Sequence, residues 1–336
     1  MIIDCHGHYT TVPAESEAYR EQQLRDVAEG RPLHKGSWGI SDDQIRESLE
    51  SSQLKLLRER GTDKVFFSPR ASAMAHQLGN QTASHHWAEL WNEMIYKICT
   101  ELYPNVFVPV GMLPQFPGVP PEDCIPELER IVNELGFVGV NLNPDPTGGF
   151  WTGLPLTDKW WFPLYEKIVE LDVPVMVHVS RSDNPNFHFT GAHYMAADTA
   201  AFMQFIVNPE VFKEFPTIKF IIPHGGGAVP FHWGRYRGLA LDMGRGEIED
   251  FLLGNVYFDT CVYHQLGIEA LLKIVPLDNL LFGSEMVGAV RGIDPRSGHY
   301  FDDTKRYVDA CDWLTEPQRT QLYEGNTRKV FSRFQG

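Results

Sequence analysis

Two histidines near the start of the chain have the spacing of a pair of metal ligands. His6 and His8 are separated by a single residue, Gly7. In an extended strand the side chains of residues i and i+2 point to the same side, so both imidazoles can reach one ion. The intervening glycine leaves the backbone uncrowded. The pair does not identify a metal site by itself, but it lies at the end of a short apolar segment.

Three further residues that can bind a metal or move a proton also follow short apolar segments. His178 lies in PVMVHVS, His224 in IIPHGGG and Glu285 in LLFGSEM. A histidine after such a segment is more often a hydrogen-bonded core residue than a ligand, and a lone glutamate is more often a surface carboxylate. A functional interpretation therefore depends on the elements that would bring these residues together.

The chain alternates short apolar segments with longer helical stretches. Helices are predicted near 41–60, 82–102, 121–135, 160–171 and 196–215, with another from about 226. The apolar segments are often β-branched, as in a sheet that is buried on both faces, and are predicted as strands at 2–5, 64–68, 106–112, 137–142, 174–179, 218–222, 256–259 and 280–282. Eight strand-then-helix units favour a (β/α)8 TIM-type barrel over an open doubly wound sheet. We expect a single domain over residues 1–336.

The barrel prediction gives the scattered residues a common position. No glycine-rich dinucleotide motif follows the first predicted strand, which argues against a nucleotide-binding fold. Long connections at 9–40, 180–195 and 286–302 each follow a strand and should form long loops at the C-terminal, catalytic face. The ends of strands one, five, six and eight would converge there on one opening. Three neutral imidazoles and a carboxylate at that opening suit Zn²⁺ or another borderline divalent metal.

Composition and charge exclude several classes of function. The formal net charge of -15 and the pI near 5.3 disfavour nucleic-acid binding and docking on an anionic membrane. We find neither a signal peptide nor an apolar run long enough to span a bilayer. Five widely spaced cysteines without a C-x-x-C pair fit a reducing, cytoplasmic location. Paired tryptophans in two predicted helices fit core packing or a homo-oligomer interface, and we expect a dimer or a tetramer.

The ordered motifs resemble those of the amidohydrolase superfamily, in its decarboxylase and hydratase branch, over nearly the whole chain. The matching segments are DCHGH at the first strand, His178 after the fifth, PHGGG after the sixth and LLFGSE after the eighth. The resemblance implies that His6, His8 and His178 are metal ligands and that His224 transfers a proton beside them. Many binuclear members carry a bridging lysine or glutamate after the fourth strand. This chain has asparagines there, which implies one metal ion.

Glu285 departs from the common pattern of the superfamily, which has aspartate at this position. The extra methylene lets the carboxylate reach further, to the ion or to its water. With glutamate at this position, and in its motifs overall, the chain resembles the 4-oxalomesaconate hydratases. This resemblance implies hydration of 4-oxalomesaconate to 4-carboxy-4-hydroxy-2-oxoadipate in the 4,5-cleavage breakdown of protocatechuate. The alternatives are a metal-dependent decarboxylase of a carboxylated aromatic or muconate semialdehyde, a lactone or amide hydrolase, and a noncatalytic barrel that only binds a ligand.

Hydration of a conjugated double bond needs a nucleophile, a base and a proton donor. A bound metal lowers the pKa of its water towards about 7. In the predicted mechanism Glu285 takes the proton from that water and also serves as the fourth ligand. His224 protonates or stabilises the resulting enolate. The spacing of the two residues leaves the acid and base roles interchangeable.

A substrate with three carboxylates requires cations around it. Arginine suits this role because its planar fork binds a carboxylate through two hydrogen bonds. Arg70 and Arg291 are the preferred candidates because both lie on loops of the expected catalytic face. Tyr194 could donate a hydrogen bond to the same ligand. Further candidates for substrate binding are Arg181, Arg235, Ser72 and Asn143.

Overall fold

The computed structural model describes residues 1–187 and 190–336. In this part of the chain eight parallel strands form one sheet in sequential order, β1 to β8. Their bounds are β1 Ile3–Tyr9, β2 Lys64–Pro69, β3 Phe107–Met112, β4 Gly139–Leu142, β5 Val175–Val177, β6 Phe220–Ile222, β7 Val256–Asp259 and β8 Leu280–Leu281. Each strand is therefore within a few residues of its prediction. The largest difference is β1, which continues to Tyr9 and so includes both histidines of the first motif.

The last strand returns to the first and closes the barrel. The amide of Cys5 donates to the carbonyl of Phe282 at 2.8 Å, and the amide of Glu285 donates to the carbonyl of His6, also at 2.8 Å. The buried Asp4 carboxylate accepts from the amide of Ser284 at 3.0 Å. These contacts confirm the predicted (β/α)8 TIM-type barrel, because a sheet without free edges has to join its first and last strands.

Helices follow the strands and form the outer layer of the barrel. They are α1 Glu15–Ala28, α2 Asp42–Glu50, α3 Gln53–Arg60, α4 Gln81–Lys97, α5 Ile125–Glu129, α6 Phe162–Glu170, α7 Thr190–Val207, α8 Glu210–Glu214, α9 Trp233–Asp242, α10 Ile248–Phe251, α11 Gln265–Ile274, α12 Thr304–Asp309, α13 Glu316–Thr320 and α14 Asn326–Val330. None of the helices within the described ranges is both long and apolar enough to cross a bilayer.

Local residue chemistry explains where α2 and α3 begin and end. Ser41 caps α2 because its hydroxyl accepts a hydrogen bond from the amide of Gln44, and the amide of Ser41 donates one to the side-chain oxygen of Gln44. The single helix predicted over 41–60 is wrong, because the backbone leaves the helical conformation at Ser52, whose φ is −133° and whose ψ is −96°. α3 then ends at Gly61, whose positive φ of 68° suits a left-handed cap.

Two predicted connections contain more helix than expected. α1 lies inside the connection predicted at 9–40, and α7 begins at Thr190, inside the connection predicted at 180–195. Residues 188–189 of that second connection lie outside the described residues. By contrast, the predicted loop after the eighth strand is confirmed, since no helix begins in the described chain between β8 and Thr304 apart from short turns.

The apolar core has two parts, one outside the barrel strands and one inside them. A large layer packs between the strands and the surrounding helices. A smaller cluster fills the inside of the barrel, where Ile3, Cys5 and Phe66 contact Met176 and the C-terminal Phe331. The Phe66 and Phe331 rings lie 4.4 Å apart between centroids. The interior is therefore filled below the strand ends, and the polar groups at those ends lie on a packed base.

A bulge in β1 changes the side-chain alternation before the histidines. The pairing register with β2 shifts between Asp4 and Gly7. Strict alternation predicts Cys5 and His6 on opposite faces, and this prediction is wrong because the extra residue at the bulge lets both face the barrel interior. The Cβ position of Gly7 points the other way, only 2.3 Å from Cγ1 of Val65. Glycine is therefore required between the two histidines.

Candidate metal centre and active site

Four side chains from three strand ends meet at the C-terminal opening of the barrel. The Nε2 atom of His8 lies 2.9 Å from Nε2 of His6 and 3.3 Å from Nε2 of His178. One ligand atom from each of these histidines and from Glu285 lies within 4.8 Å of all the others. Ligands bound at about 2.0–2.1 Å to one tetrahedral ion are separated by roughly 3.3 Å, so the cluster has the dimensions of a single metal site.

The outer nitrogen of each histidine has its own hydrogen-bond partner. Nδ1 of His6 lies 2.6 Å from the Asp259 carboxylate, and Nδ1 of His8 lies 2.7 Å from the hydroxyl of Ser68. Nδ1 of His178 lies 2.8 Å from the carbonyl of Val179. Acceptors at these positions keep the proton on Nδ1, so the lone pairs of all three Nε2 atoms face one another. Such an arrangement fits a shared cation, and hydrogen bonds of this kind orient histidine ligands in metal proteins.

Burial keeps His8 and His178 neutral. His8 and His178 are almost completely inaccessible to solvent. Burial, reinforced by the neighbouring imidazoles, lowers the pKa of His8 to about 3 and moves the pKa of His178 well below its usual value. Neutral imidazole is the form that binds a metal ion, so the environment favours the ligand state at neutral pH.

His224 lies between two carboxylates at the edge of the cluster. Its Nδ1 contacts Asp198 at 2.9 Å and its Nε2 lies 3.5 Å from Oε2 of Glu285. Burial alone would lower the pKa of His224, but Asp198 and Glu285 outweigh burial and raise it well above its usual value. The protonated imidazole can therefore supply a proton. The Tyr194 ring stacks on that of His224 with centroids 5.6 Å apart.

Glu285 is held in place by the backbone around it. Its φ is 49°, and the φ of His224 is 53°, so both residues adopt the left-handed conformation where the chain leaves a strand. The hydroxyl of Tyr263 donates to Oε2 of Glu285 at 3.3 Å. Burial would raise the pKa of Glu285, yet the hydrogen bond from His224 and the nearby imidazoles lower it far below the usual value. The carboxylate is therefore ionised and able to bind a cation or accept a proton.

A cavity of about 180 Å³ opens directly above the cluster. The structure brings four of the predicted substrate-binding residues to its wall, together with two residues of the cluster and Thr10. The predicted residues are Arg70, Ser72, Tyr194 and Arg291. The Arg70 guanidinium contacts Glu17 of α1, and Nε of Arg291 donates to the carbonyl of Gly288 at 3.1 Å. The cavity thus combines cations with the proposed metal ligands.

Three other predicted substrate-binding residues are not brought to this cavity. Arg235 is exposed on α9, and Arg181 is exposed and pairs with Asp183 at 2.8 Å. Asn143 is buried beyond β4, where its side-chain oxygen accepts from the amide of Asp145. Arg181 is a candidate because it follows the fifth strand, and Arg235 because it follows the glycine-rich segment. The assignment of Arg181, Arg235 and Asn143 to the substrate stays a prediction.

Sequence reasoning missed several residues that orient the cluster. They are Ser68, Asp198, Asp259 and Tyr263, all of which contact a proposed ligand or His224. Asp259 carried a usable signal, since it is a carboxylate at the end of an apolar strand, VYFD. Burial opposes ionisation of Asp259, but the hydrogen bond from His6 lowers its pKa below the usual value. Asp198 lies within a helix, where its sequence gives no comparable signal.

Known proteins match this chain over nearly its full length. The sequence family described as Amidohydrolase matches residues 3–333. A 2-keto-4-carboxy-3-hexenedioate hydratase from Sphingobium sp. (strain NBRC 103272 / SYK-6) is 56% identical over 333 residues, which cover 99% of this chain and 96% of that protein. The crystal structure of 4-oxalomesaconate hydratase from Rhodopseudomonas palustris aligns with a TM-score of 0.91 and 52% identity, covering 99% of this chain and 96% of that one.

A more distant protein shares the fold only. The 5-carboxyvanillate decarboxylase from Sphingomonas paucimobilis aligns with a TM-score of 0.70 and 16% identity, over 98% of both chains. The barrel, the converging histidines and the full-length family match agree with one another. The chain belongs to the amidohydrolase family.

Proposed function

We propose that this chain is a hydro-lyase that adds water to the C=C bond of 4-oxalomesaconate, giving 4-carboxy-4-hydroxy-2-oxoadipate in protocatechuate 4,5-cleavage catabolism. The observation that carries the proposal is the cavity in which Arg70 and Arg291 face His8 and Glu285. Two arginines can bind carboxylates of the substrate while the double bond lies over the His/Glu cluster. Two hydratases that are 56% and 52% identical to this chain support the same reaction.

A divalent metal bound by His6, His8, His178 and Glu285 would supply Lewis-acid activation of water. Two residues of the chain carry out the proton transfers, with Glu285 as the acceptor and His224 as the donor. Glu285 is ionised and accepts a proton from the attacking water. As the water oxygen forms its bond to C4, the electron pair of the double bond moves towards the 2-oxo group. His224 gives its Nε2 proton to the neighbouring carbon, and Asp198 stabilises the imidazolium before transfer.

The identity of the metal and the state of the chain in the cell are part of the proposal. We propose zinc, because three imidazoles and one carboxylate match its preferred ligands. We also propose a single catalytic domain over residues 1–336 and a reducing, cytoplasmic location, since all five cysteines are free and buried. Metal analysis of the purified protein checks the first of these. A content well below one zinc per chain, with another divalent metal in stoichiometric amount, would overturn the zinc assignment.

A homo-oligomer is supported by an uncharged surface near α11. Phe231 and Leu266 are 86% and 73% exposed beside an apolar groove that also includes Ile274. A large net negative charge favours the monomer, because like-charged chains repel one another. An exposed apolar patch favours association, because contact with a second chain removes it from water. Light scattering after size-exclusion chromatography measures the mass in solution. We expect a dimer or a tetramer for the parent chain and a smaller species for Phe231→Glu, whereas a monomeric parent chain would contradict the proposal.

An absorbance assay on 4-oxalomesaconate tests the proposed reaction. Hydration removes the conjugated chromophore without releasing CO₂, whereas a decarboxylase would release it. We expect bleaching with no CO₂, and a loss of at least about 100-fold in kcat for Glu285→Gln, because general-base catalysis contributes roughly 10²–10⁴. Glu269→Gln, a glutamate on α11 outside the cavity, serves as a matched control. Release of CO₂ would favour decarboxylation, and full turnover by metal-loaded Glu285→Gln would remove the mechanism.

A further inference from the structure

Arg20 is a buried cation that the proposed reaction does not use directly. It lies on α1 and is 8% exposed. Within the described ranges no carboxylate forms an ion pair with it. Burial lowers the pKa of Arg20 to about 10, so the guanidinium is still charged at neutral pH. A buried charge without a counter-ion is costly, and its retention calls for compensating hydrogen bonds.

Those hydrogen bonds all go to one short segment. The Arg20 guanidinium donates to the carbonyls of Ser72, Ala73 and Ala75 at 3.2, 3.1 and 2.6 Å. Its planar group also lies over the Trp87 ring of α4, 4.2 Å from the centroid. α1, which precedes β2 in the chain, thus contacts the loop that follows β2 through the Arg20 side chain, in addition to the ion pair between Glu17 and Arg70.

The segment held by Arg20 is a wall of the active-site cavity. Arg70, Ala71 and Ser72 line the cavity, and the carbonyl of Arg70 accepts from the amide of Ala73 at 2.8 Å. Residues 70–73 therefore form one turn. It carries the Arg70 side chain and also the carbonyls of Ser72 and Ala73 to which Arg20 donates. Movement of residues 72–75 would displace both the guanidinium of Arg70 and the hydroxyl of Ser72 from the substrate.

We propose that Arg20 is a positioning residue, which fixes the loop 70–75 so that Arg70 and Ser72 meet a carboxylate of the substrate. This inference rests on the proposed function, because it assigns Arg70 to substrate binding. The metal ligands lie on other loops or on β1, so Arg20 acts on binding and not on the bond-forming step. The guanidinium bonds to these carbonyls from two separate nitrogens of a rigid planar group, Nη1 to Ser72 and Ala73 and Nη2 to Ala75, whereas the donors of an ammonium all lie on one nitrogen.

Steady-state kinetics of Arg20→Lys test this role. Lysine keeps the charge and most of the stem but loses the fork of donors. We expect KM for 4-oxalomesaconate to rise about tenfold while kcat changes less than about twofold, the pattern of lost binding without lost chemistry. Metal content should equal that of the parent chain. Arg25→Met, an exposed arginine of the same helix, should leave both constants unchanged.

A double-mutant cycle with Arg70 separates positioning from an independent effect. In an Arg70→Met background, Arg20→Lys should raise KM little further, because the group that it positions is gone. The proposal is overturned if Arg20→Lys has the KM of the parent chain, if the two effects multiply, or if Arg20→Lys loses metal or kcat. The proposed function has its own separate test, since it fails only when the parent chain does not hydrate 4-oxalomesaconate.

Discussion

At the scale of single residues, the arrangement of the proposed metal ligands depends on groups outside the ligand set. Three Nε2 atoms converge because three different acceptors occupy the Nδ1 atoms, and one acceptor is a carboxylate. Asp259 also accepts from the amides of Gly225 and Cys261 at 3.0 Å, so β7 and the segment after β6 fix its orientation. His6 is thereby held in one tautomer and one rotamer. The affinity for metal should therefore be sensitive to Asp259.

We predict that Asp259→Asn weakens metal binding by about 10- to 100-fold, the usual effect of removing a partner of a histidine ligand. The asparagine side chain can present an N–H to Nδ1 and so favours the wrong tautomer of His6. Competition with a chelator, followed by metal analysis, measures the change. Asp250→Asn, on an exposed position of α10, is the matched control. An unchanged affinity in Asp259→Asn would contradict the role given to this hydrogen bond.

At the scale of elements, the geometry of β1 determines whether its two histidines can act together. The bulge between Asp4 and Gly7 turns His6 inward, and Gly7 fits against β2 only because it has no side chain. A Cβ atom there would lie 2.3 Å from Cγ1 of Val65 and 3.2 Å from the carbonyl oxygen of Phe66. Backbone atoms cannot move away as freely as a side-chain end can.

Gly7→Ala should therefore destabilise the fold and disturb the metal site together. We expect a loss of about 1–3 kcal/mol in the free energy of unfolding, the usual range for overpacking, with a lower metal content. Denaturant unfolding and metal analysis provide the two readouts. Gly153→Ala is a suitable control because nothing lies within 4 Å of the Cβ position there. Equal stability of Gly7→Ala and the parent chain would argue against the observed packing.

A second element-scale prediction concerns pH. His76, between the cavity loop and α4, is fully buried and contacts the Ser84 hydroxyl at 2.7 Å through Nδ1. Burial lowers the pKa of His76 to about 3 from its usual 6.5, so in this range the unfolded chain binds the proton more readily than the folded chain. Folding stability therefore decreases as the pH falls below 6.5 and approaches 3.

Between pH 6.5 and pH 5 this histidine should contribute about 1.5 kcal/mol to that loss of stability. His76→Gln cannot take up the proton, so its unfolding free energy should decrease less over the same interval. Urea titrations at the two pH values measure the difference. His34→Gln, at an exposed position, should retain the pH dependence of the parent chain. If His76→Gln retained it too, the assignment to His76 would be wrong.

At the scale of the whole molecule, stability and chemistry lie at opposite ends of the barrel. The C-terminal Phe331 closes the inner cluster from the end opposite the metal ligands. It is 2% exposed and also contacts the position of Gly139 at the start of β4. The geometry of the cavity should therefore survive moderate damage at the closed end, since paired strands connect the two ends.

Phe331→Ala should cost about 3–5 kcal/mol in unfolding free energy, as for other buried phenylalanines, while kcat and metal content stay close to those of the parent chain. Thermal unfolding and kinetics at a temperature below the transition measure both. Phe150→Ala, at a half-exposed position, is the control for stability. A small effect of Phe331→Ala on stability would show that the inner cluster does not depend on the C-terminal segment.

The sequence by itself determined the order of the barrel strands and the four metal-ligand candidates. Period-2 and apolar patterns act over a few residues, and a parallel barrel forces strand ends to one face, so His6, His8, His178 and Glu285 could be assigned to one opening. Short-range patterns could not show the bulge in β1, because pairing between strands decides the register. They also missed α1, a largely polar helix whose Arg20 bonds to the loop after β2 and whose apolar Tyr19, Leu24 and Val27 are only partly buried.

Only the tertiary structure decided which side chains complete the site. Asp198 and Asp259 come from a helix and a strand that are distant in sequence from the histidines they orient. Arg70 reaches the cavity and Arg235 does not, although both follow a strand. Loop paths depend on contacts made across the whole fold, such as those of Arg20 with residues 72–75. Local residue types fix which chemistry is available, and long-range packing fixes which groups perform it.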